Sequence, residues 1–387
     1  MFNILTHNEI AQCGLNELDP AKFTVSRSAE SPDAILLRRQ PLTTDDLVNP
    51  NLLAIARAGF DVSNIPVENC AENGIVVFNT PGANANAIKE LVLAGLLLSS
   101  RNIIGGISWV QSLADSGSVI KEVDRENSNF AGPEVAGKVL GVIGMSDVGV
   151  LVANVCRDLG MMVHGYDNNI SVEAAWGLSR GVHRAQALDN ILRLCDYITV
   201  HVSASPETKG MLNSDFFAKC KKGVRVLNFA RVGLVDEADL LEAIDDGTVS
   251  CYVTDFPTEG LLGNDKIITI PKLGSKTPES TENCATMAAA QLREYLLYGN
   301  IRNSVNFPNC EIPYVGKKRI CIIHRNVAKV VGPVTGLFAD KSINIDNMLN
   351  RSGGEYAYTM LDVDSDNLGN IGDELVKLAN IIKVRII

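Results

Sequence analysis

Three charged residues stand just past apolar, strand-like runs: Arg231 in "VLNFARVGLVDE", Glu259 in "CYVTDFPTEG" and Lys272 in "KIITIPKLGSKTPES". A guanidinium holds a carboxylate through two parallel hydrogen bonds and can polarise a neighbouring carbonyl. An amine can take or return a proton, and a carboxylate can orient it. The three types together suit an anionic substrate whose hydroxyl gives up a proton. Any one of them alone is more commonly a solvated surface charge, so the grouping carries the reading.

A second pattern lies in "GKVLGVIGMSDVGVLVANVCRDLGMMVHGYD", residues 137–167. An apolar run ends at Gly144, a helical stretch opens at Gly149, and a second apolar run ends at Asp167, 23 residues beyond Gly144. In G-x-G-x-x-G the first glycine permits the tight turn, the second lets backbone approach a diphosphate, and the third lets helix and strand pack closely. Gly144 and Gly149 meet the first and third needs, while Ser146 holds the middle place. Phosphate charge would be met by the helix N-terminus. Asp167 is placed for a ribose hydroxyl, which favours NAD over NADP. On these residues alone, a βαβ unit that keeps its packing glycines and binds nothing remains an alternative.

The elements around these residues alternate. "KVLGVIG", "MVHGYD", "YITVHVS", "VRVLNFA", "CYVTDF" and "KIITIP" read as strands, separated by the amphipathic "VGVLVANVCRDLG", "ALDNILRLC", "SDFFAKC" and "DEADLLEAIDDG". Such alternation predicts right-handed βαβ units and a doubly wound, Rossmann-like parallel sheet, whose ligands lie at strand carboxyl ends. "AILLRRQ", "LLAIARAG" and "IVVFNTP", with a capped helix in "TTDDLVNP", predict a smaller flavodoxin-like α/β domain. The run "NAIKELVLAGLLLSSRNII", apolar almost all round, predicts one long buried helix. Another helix, "TENCATMAAAQLREYLLYGN", has Thr281 as N-cap and Gly299 as stop. After a proline-rich linker at 305–317, residues 318–387 read as βαββαβ, a ferredoxin-like unit. The expected domains are 1–92 with 281–304 for substrate, 93–280 for nucleotide, and 318–387 as a C-terminal module.

Composition narrows the class. A net charge of −10 over 387 residues argues against nucleic-acid binding, which needs a clustered basic face. Charges interrupt every apolar run before membrane-span length, and "MFNILTHNEI" lacks a signal-peptide layout, so a cytoplasmic protein without membrane attachment is expected. Mean hydropathy is +0.10. The nine cysteines are odd in number and form no C-x-x-C, so free thiols are expected and no metal site.

Taken together, "VVFNTPGANANAIKELV", "VIGMSDVGVLVAN", "DYITVHV", "ETKGMLN", "NFARVGLVDE", "DFPTE", "PKLGSKTPESTENCA" and "HRNVAKVVGPVTGLFADKSINIDNML" resemble the D-isomer-specific 2-hydroxyacid dehydrogenases. The resemblance spans essentially the whole chain and implies NAD-dependent oxidation of 3-phosphoglycerate to 3-phosphohydroxypyruvate, the first step of serine synthesis. It implies Arg231 for the substrate carboxylate, Lys272 as acid/base where most members carry histidine, and Glu259 to orient it. Gly144, Ser146, Val148, Gly149, Asp167, His201, Ala230, Asp255 and Gly274 would line the NAD site. Arg38, Arg57 and Asn84 would hold substrate phosphate or carboxylate. The last module resembles an ACT regulatory domain, with His324, Asn326 and Asn344 at serine-binding positions and homo-oligomers implied.

The departures from the family pattern collect at its cofactor crevice: Phe60, Asp61, Ser146, Asp147, Ser203, Val232, Ser275 and Lys276. Each adds bulk or charge where nucleotide contacts form. Two alternatives follow: a catalytically silent paralogue acting as a serine-binding or regulatory partner subunit, or a dehydrogenase of another D-2-hydroxy acid.

Overall fold

The computed structural model describes residues 1–115, 117–316 and 318–387; Lys317, the end of the expected linker, lies outside the described residues. The chain forms two compact units, Met1–Ala83 with Pro278–Ile387, and Asn84–Thr277.

The first unit opens with a parallel sheet of β1 (Phe2–Thr6), β2 (Phe23–Ser26), β3 (Ala34–Leu37), β4 (Ala54–Arg57) and β5 (Val76–Phe78), in the order β2-β1-β3-β4-β5. That is the flavodoxin-like order. β3, β4 and β5 are the expected strands, whereas β1 and β2 were not anticipated. "TTDDLVNP" forms a single 3-10 turn, Thr44–Leu47, closed by the carboxylate of Asp46 on the Thr43 amide at 2.7 Å.

The second unit holds a seven-stranded parallel sheet of β6 (Val139–Ile143), β7 (Met162–Tyr166), β8 (Val182–Arg184), β9 (Tyr197–Val200), β10 (Val224–Asn228), β11 (Val249–Thr254) and β12 (Ile267–Thr269). Its order, β12-β11-β10-β9-β6-β7-β8, turns back at β6, which pairs with both β7 and β9. This reversal is the switch point where open α/β sheets bind ligands.

The long apolar run is not one helix. It forms Ala85–Ser100, breaks at Arg101, and restarts as Ile103–Ser112, because the Asn102 side chain accepts the Gly105 amide as an N-cap. The first segment is core: Gly95 admits Phe229 and Val253 so closely that a Cβ there would lie 2.9 Å and 3.1 Å from them. This packing places the unit boundary at Ala83/Asn84 rather than at residue 92. The second segment buries no residue within the chain. No single described helix is long and apolar enough to cross a membrane; only this pair, bent by 67°, passes on length and composition together.

The C-terminal sheet of the first unit contains β13 (Lys318–Arg325), β14 (Ile345–Gly353), β15 (Tyr356–Val363) and β16 (Ile381–Ile386). It is antiparallel, ordered β14-β15-β13-β16, which is the ferredoxin-like arrangement. One face, with Ile320, Ile322, Leu361 and Val363, packs on Val334, Phe338, Ile371 and Leu375 of its own helices. The other face, with Cys321, Ile323, Tyr358 and Met360, joins the core around the helix Pro278–Tyr298. That helix begins at Pro278, a residue suited to the first helical position, so Thr281 lies inside it and is not its cap. It stops where Gly299 turns to φ +71°.

Three side chains of the C-terminal sheet bind the carbonyls at that helix end. Arg319 donates to Tyr298 O, Arg385 to Tyr295 O and Leu296 O, and the Tyr358 hydroxyl to Gly299 O. Cations at a helix C-terminus also oppose its dipole favourably. Arg319 is fully buried; its remaining donors reach Ile312 O, Pro313 O and both oxygens of Asp362. The segment expected as a linker buries Phe307 and Cys310.

Candidate active site

At the switch point Gly144 follows β6 with φ +92°, and a Cβ there would stand 2.7 Å from the His201 carbonyl carbon at the end of β9. A Cβ on Gly149 would lie 2.0 Å from Gly144 O. Both glycines are therefore required by local packing. Ser146 is accommodated: it is exposed, its Oγ donates to His201 O at 3.2 Å and accepts the Gly149 amide at 3.5 Å, capping the helix Asp147–Asp158. The amides of Asp147 and Val148, the next two at that terminus, have no hydrogen-bond partner among the described residues.

Asp167, at the end of β7, clamps this turn. Its two oxygens accept the Met145 amide and the Asn169 amide, each at 2.7 Å, which leaves lone pairs on both for further donors. His201 is buried with Nε2 3.0 Å from Thr199 Oγ1, and burial holds its imidazole down at about 3, so it stays neutral.

Past β10, a residue that sequence reasoning missed shapes the turn. Buried Asn228 accepts the amides of Ala230 and Arg231 and donates to Arg231 O, an Asx-type clasp that presents Arg231. The signal was available: a polar residue ends an otherwise apolar strand. Arg231 is half-buried and its Nη1 donates to Ala230 O at 2.8 Å. Val232 projects into solvent.

Past β11, Asp255 is buried and takes the Gly274 amide on Oδ2 at 3.0 Å. Its Oδ1 is buried without a partner. Burial raises the Asp255 carboxyl above its ordinary range; the Gly274 amide and the positive charge of Lys272 partly oppose this. Lys272, past β12, is exposed and held at φ +55°, a conformation that L-residues adopt at a cost and that collects at functional turns. Glu259 opens an exposed 3-10 turn, and among the described residues no ion pair joins it to Lys272. The expected Glu–Lys couple is thus not formed. The Lys272 charge acts instead on Asp255, although among the described residues no ion pair joins the two.

In the first unit, Arg38 donates from Nη2 to Thr281 Oγ1 at 2.9 Å, and Arg57 donates from Nε to Arg38 O at 3.0 Å. Burial lowers the Arg57 guanidinium; Asp61, 3.8 Å away, opposes that, while Arg38 and Arg39 reinforce it. This cationic cluster has more positive than negative charge. Asn84, in the second unit, is half-buried at the N-cap position before Ala85 and makes no cap hydrogen bond.

Among the described residues no hydrogen bond joins His324, Asn326 and Asn344 to one another. His324 is buried, gives Nδ1–H to Arg325 O at 2.8 Å, and has Nε2 3.0 Å from Thr359 Oγ1. Asn326 donates to Gly354 O and Asn344 to Asp346 Oδ1. All nine cysteines are free, seven of them buried. Among the described residues no group of three or more His, Cys, Asp or Glu could hold a metal ion.

The crevice fits an adenine dinucleotide on several counts. Open helix amides can meet a diphosphate, Asp167 can accept ribose hydroxyls, and the orphaned Asp255 Oδ1 needs a donor such as a carboxamide N–H. Residues 94–275 match the family model "D-isomer specific 2-hydroxyacid dehydrogenase, NAD binding domain". Over that stretch the chain is similar to the NAD-binding domain of the D-isomer specific 2-hydroxyacid dehydrogenases. It is similar to the D-3-phosphoglycerate dehydrogenase of Sus scrofa, 35% identical over 282 residues, covering 71% of this chain and 50% of the relative. It is also similar to that of Bacillus subtilis (strain 168), 30% identical over 325 residues, covering 80% and 59%. The chain thus spans little more than half the length of the curated relatives it matches. An NAD+-bound 3-phosphoglycerate dehydrogenase of Entamoeba histolytica shares the fold, with TM-score 0.59 and 23% identity over 79% of this chain and 98% of that one.

Proposed function

We propose that this chain oxidises the C2 hydroxyl of 3-phosphoglycerate to 3-phosphohydroxypyruvate with NAD. The observation that carries the reading is the set of groups past β10, β11 and β12: Arg231 on its Asn228 clasp, the orphaned oxygen of Asp255, and Lys272 in its strained turn. Nicotinamide, when bound, supplies the hydride acceptor. Lys272 Nζ, in its neutral amine form, takes the hydroxyl proton and becomes the ammonium, and Arg231 holds the substrate carboxylate with a planar fork. Gly144, Ser146, Val148, Gly149, Asp167, His201, Ala230, Asp255 and Gly274 form the cofactor site. Within the first unit Arg38 and Arg57 offer donors suited to an anionic group, and within the second Asn84 offers a side-chain amide at the start of a helix.

The C-terminal sheet serves as an ACT module with His324, Asn326 and Asn344 as serine ligands, in a cytoplasmic homo-oligomer. The ferredoxin-like strand order supports the module. The apolar residues Ile104, Ile107 and Ile120, 46%, 58% and 78% exposed, support self-association.

The test is NADH formation from 3-phosphoglycerate and NAD by the full chain. Activity that Lys272→Met and Arg231→Ala abolish, with NADH binding retained, supports the reading. One observation favours a second reading, a catalytically silent regulatory subunit: among the described residues no ion pair joins Glu259, in its 3-10 turn, to Lys272. A folded chain that binds NADH, turns over no 2-hydroxy acid and is stabilised by serine would establish that alternative.

A further inference from the structure

The helix Asp147–Asp158 presents two unpartnered amides, those of Asp147 and Val148, at the carboxyl end of β6. They are the natural contacts for a diphosphate. The first of them belongs to a residue whose own side chain is a carboxylate. Asp147 is exposed in the first turn, and no hydrogen bond or ion pair engages its oxygens among the described residues. Ser146 does not neutralise it, because the serine hydroxyl is committed to His201 O and the Gly149 amide. In the absence of ligand a carboxylate here stabilises the helix through its dipole. A doubly charged diphosphate that met those amides would face the same carboxylate as a like charge on the residue that supplies one of them.

We infer that Asp147 sets the dinucleotide affinity of this crevice: it opposes the diphosphate, so that NAD(H) binds weakly and in a salt-dependent way that relaxes when the charge is removed. The inference rests on the proposed cofactor site and adds a determinant of its strength. Like charges separated by one residue's reach at a solvated surface repel by about 1 kcal/mol or slightly more, so removing one should tighten binding about tenfold. Screening shortens this reach at high ionic strength, where the Debye length falls from about 10 Å to about 3 Å. The gain from removing the charge should therefore shrink as salt is added.

The experiment compares wild type, Asp147→Asn and Asp147→Glu by NADH fluorescence titration at low and high sodium chloride. ADP-ribose and adenosine serve as calorimetric probes with and without the diphosphate. The expected result is NADH and ADP-ribose binding about tenfold tighter in D147N than in wild type at low salt, with the gain falling below threefold at 1 M salt. D147E should stay as weak as wild type, and adenosine affinity should be equal in all three. Equal NADH affinities in wild type and D147N would overturn the inference while leaving the cofactor reading intact. A D147N gain that persists for adenosine would also overturn it, since shape and not charge would then be the cause. No NADH binding by any of the three folded proteins would remove the proposed cofactor site and this inference with it.

Discussion

Asp255 accepts the Gly274 amide at 3.0 Å with one oxygen and keeps the other buried with no partner. Burial raises this carboxyl, so its ionised form costs the fold. Because the folded state holds this proton more tightly than the unfolded chain, the contribution to stability falls as pH rises out of the ordinary carboxylate range and through the raised value. Asp255→Asn keeps an acceptor for Gly274 and removes the charge. The unliganded variant should be more stable at pH 7 by about 1 kcal/mol, visible as a few degrees in Tm. A lower Tm at pH 7 would show that the charge is already compensated.

Gly149 and Gly233 separate steric from conformational demand. A Cβ at Gly149 meets Gly144 O at 2.0 Å, whereas one at Gly233, with φ +79°, meets nothing within 4 Å. Gly233→Ala should cost only about 1 kcal/mol from its left-handed backbone. Gly149→Ala should cost more than about 3 kcal/mol, because backbone must move. Urea midpoints measure both, and equal costs would refute the close approach of helix and turn.

Lys383 on β16 donates to Leu52 O at 2.7 Å within the first unit. Burial, with a smaller push from Arg385, holds its ammonium down at about 8 from an ordinary 10.5. Above pH 8 the unfolded chain binds a proton that the folded unit does not, so stability attributable to Lys383 rises from about pH 8 and levels off near 10.5. Relative to Lys383→Met, wild type should gain on the order of 2 kcal/mol between pH 7.5 and 10.5. Chemical denaturation at both pH values checks this, and parallel curves for the two proteins would contradict it.

Arg319 and Asp362 form a fully buried pair. Arg319→Met strands Asp362 and three carbonyl oxygens, at an expected cost of about 3–5 kcal/mol. Adding Asp362→Leu should recover part of that loss, since the stranded charge and not the missing pair is the main penalty. A double variant no more stable than the single one would place the cost in the carbonyls instead.

The strands that carry the candidate site were legible because β6, β7 and β9–β12 are apolar runs punctuated by amphipathic helices. β2, "FTVS", and β8, "VHR", are short edge strands with polar faces, and no periodicity can accumulate over so few residues. The helix break at Arg101 was masked by apolar composition, although Asn102 is a recognisable cap. Arg231, Lys272 and Asp255 could be placed at strand ends from sequence. The absence of a Glu259–Lys272 pair could not, because it depends on how two loops of different strands close.

The three caps on the helix Pro278–Tyr298 bear on the order in which this chain can fold. The second unit, Asn84–Thr277, is one uninterrupted stretch, and its sheet can close as soon as that stretch has left the ribosome. The first unit cannot. Its opening sheet packs on a helix made more than 190 residues later, whose last carbonyls are bound by Arg319, Tyr358 and Arg385 from still further along the chain. The amino-terminal strands are therefore synthesised first and completed last. Over that interval the face carrying Ala56, Val76 and Phe78 lacks the helix that covers it in the folded unit.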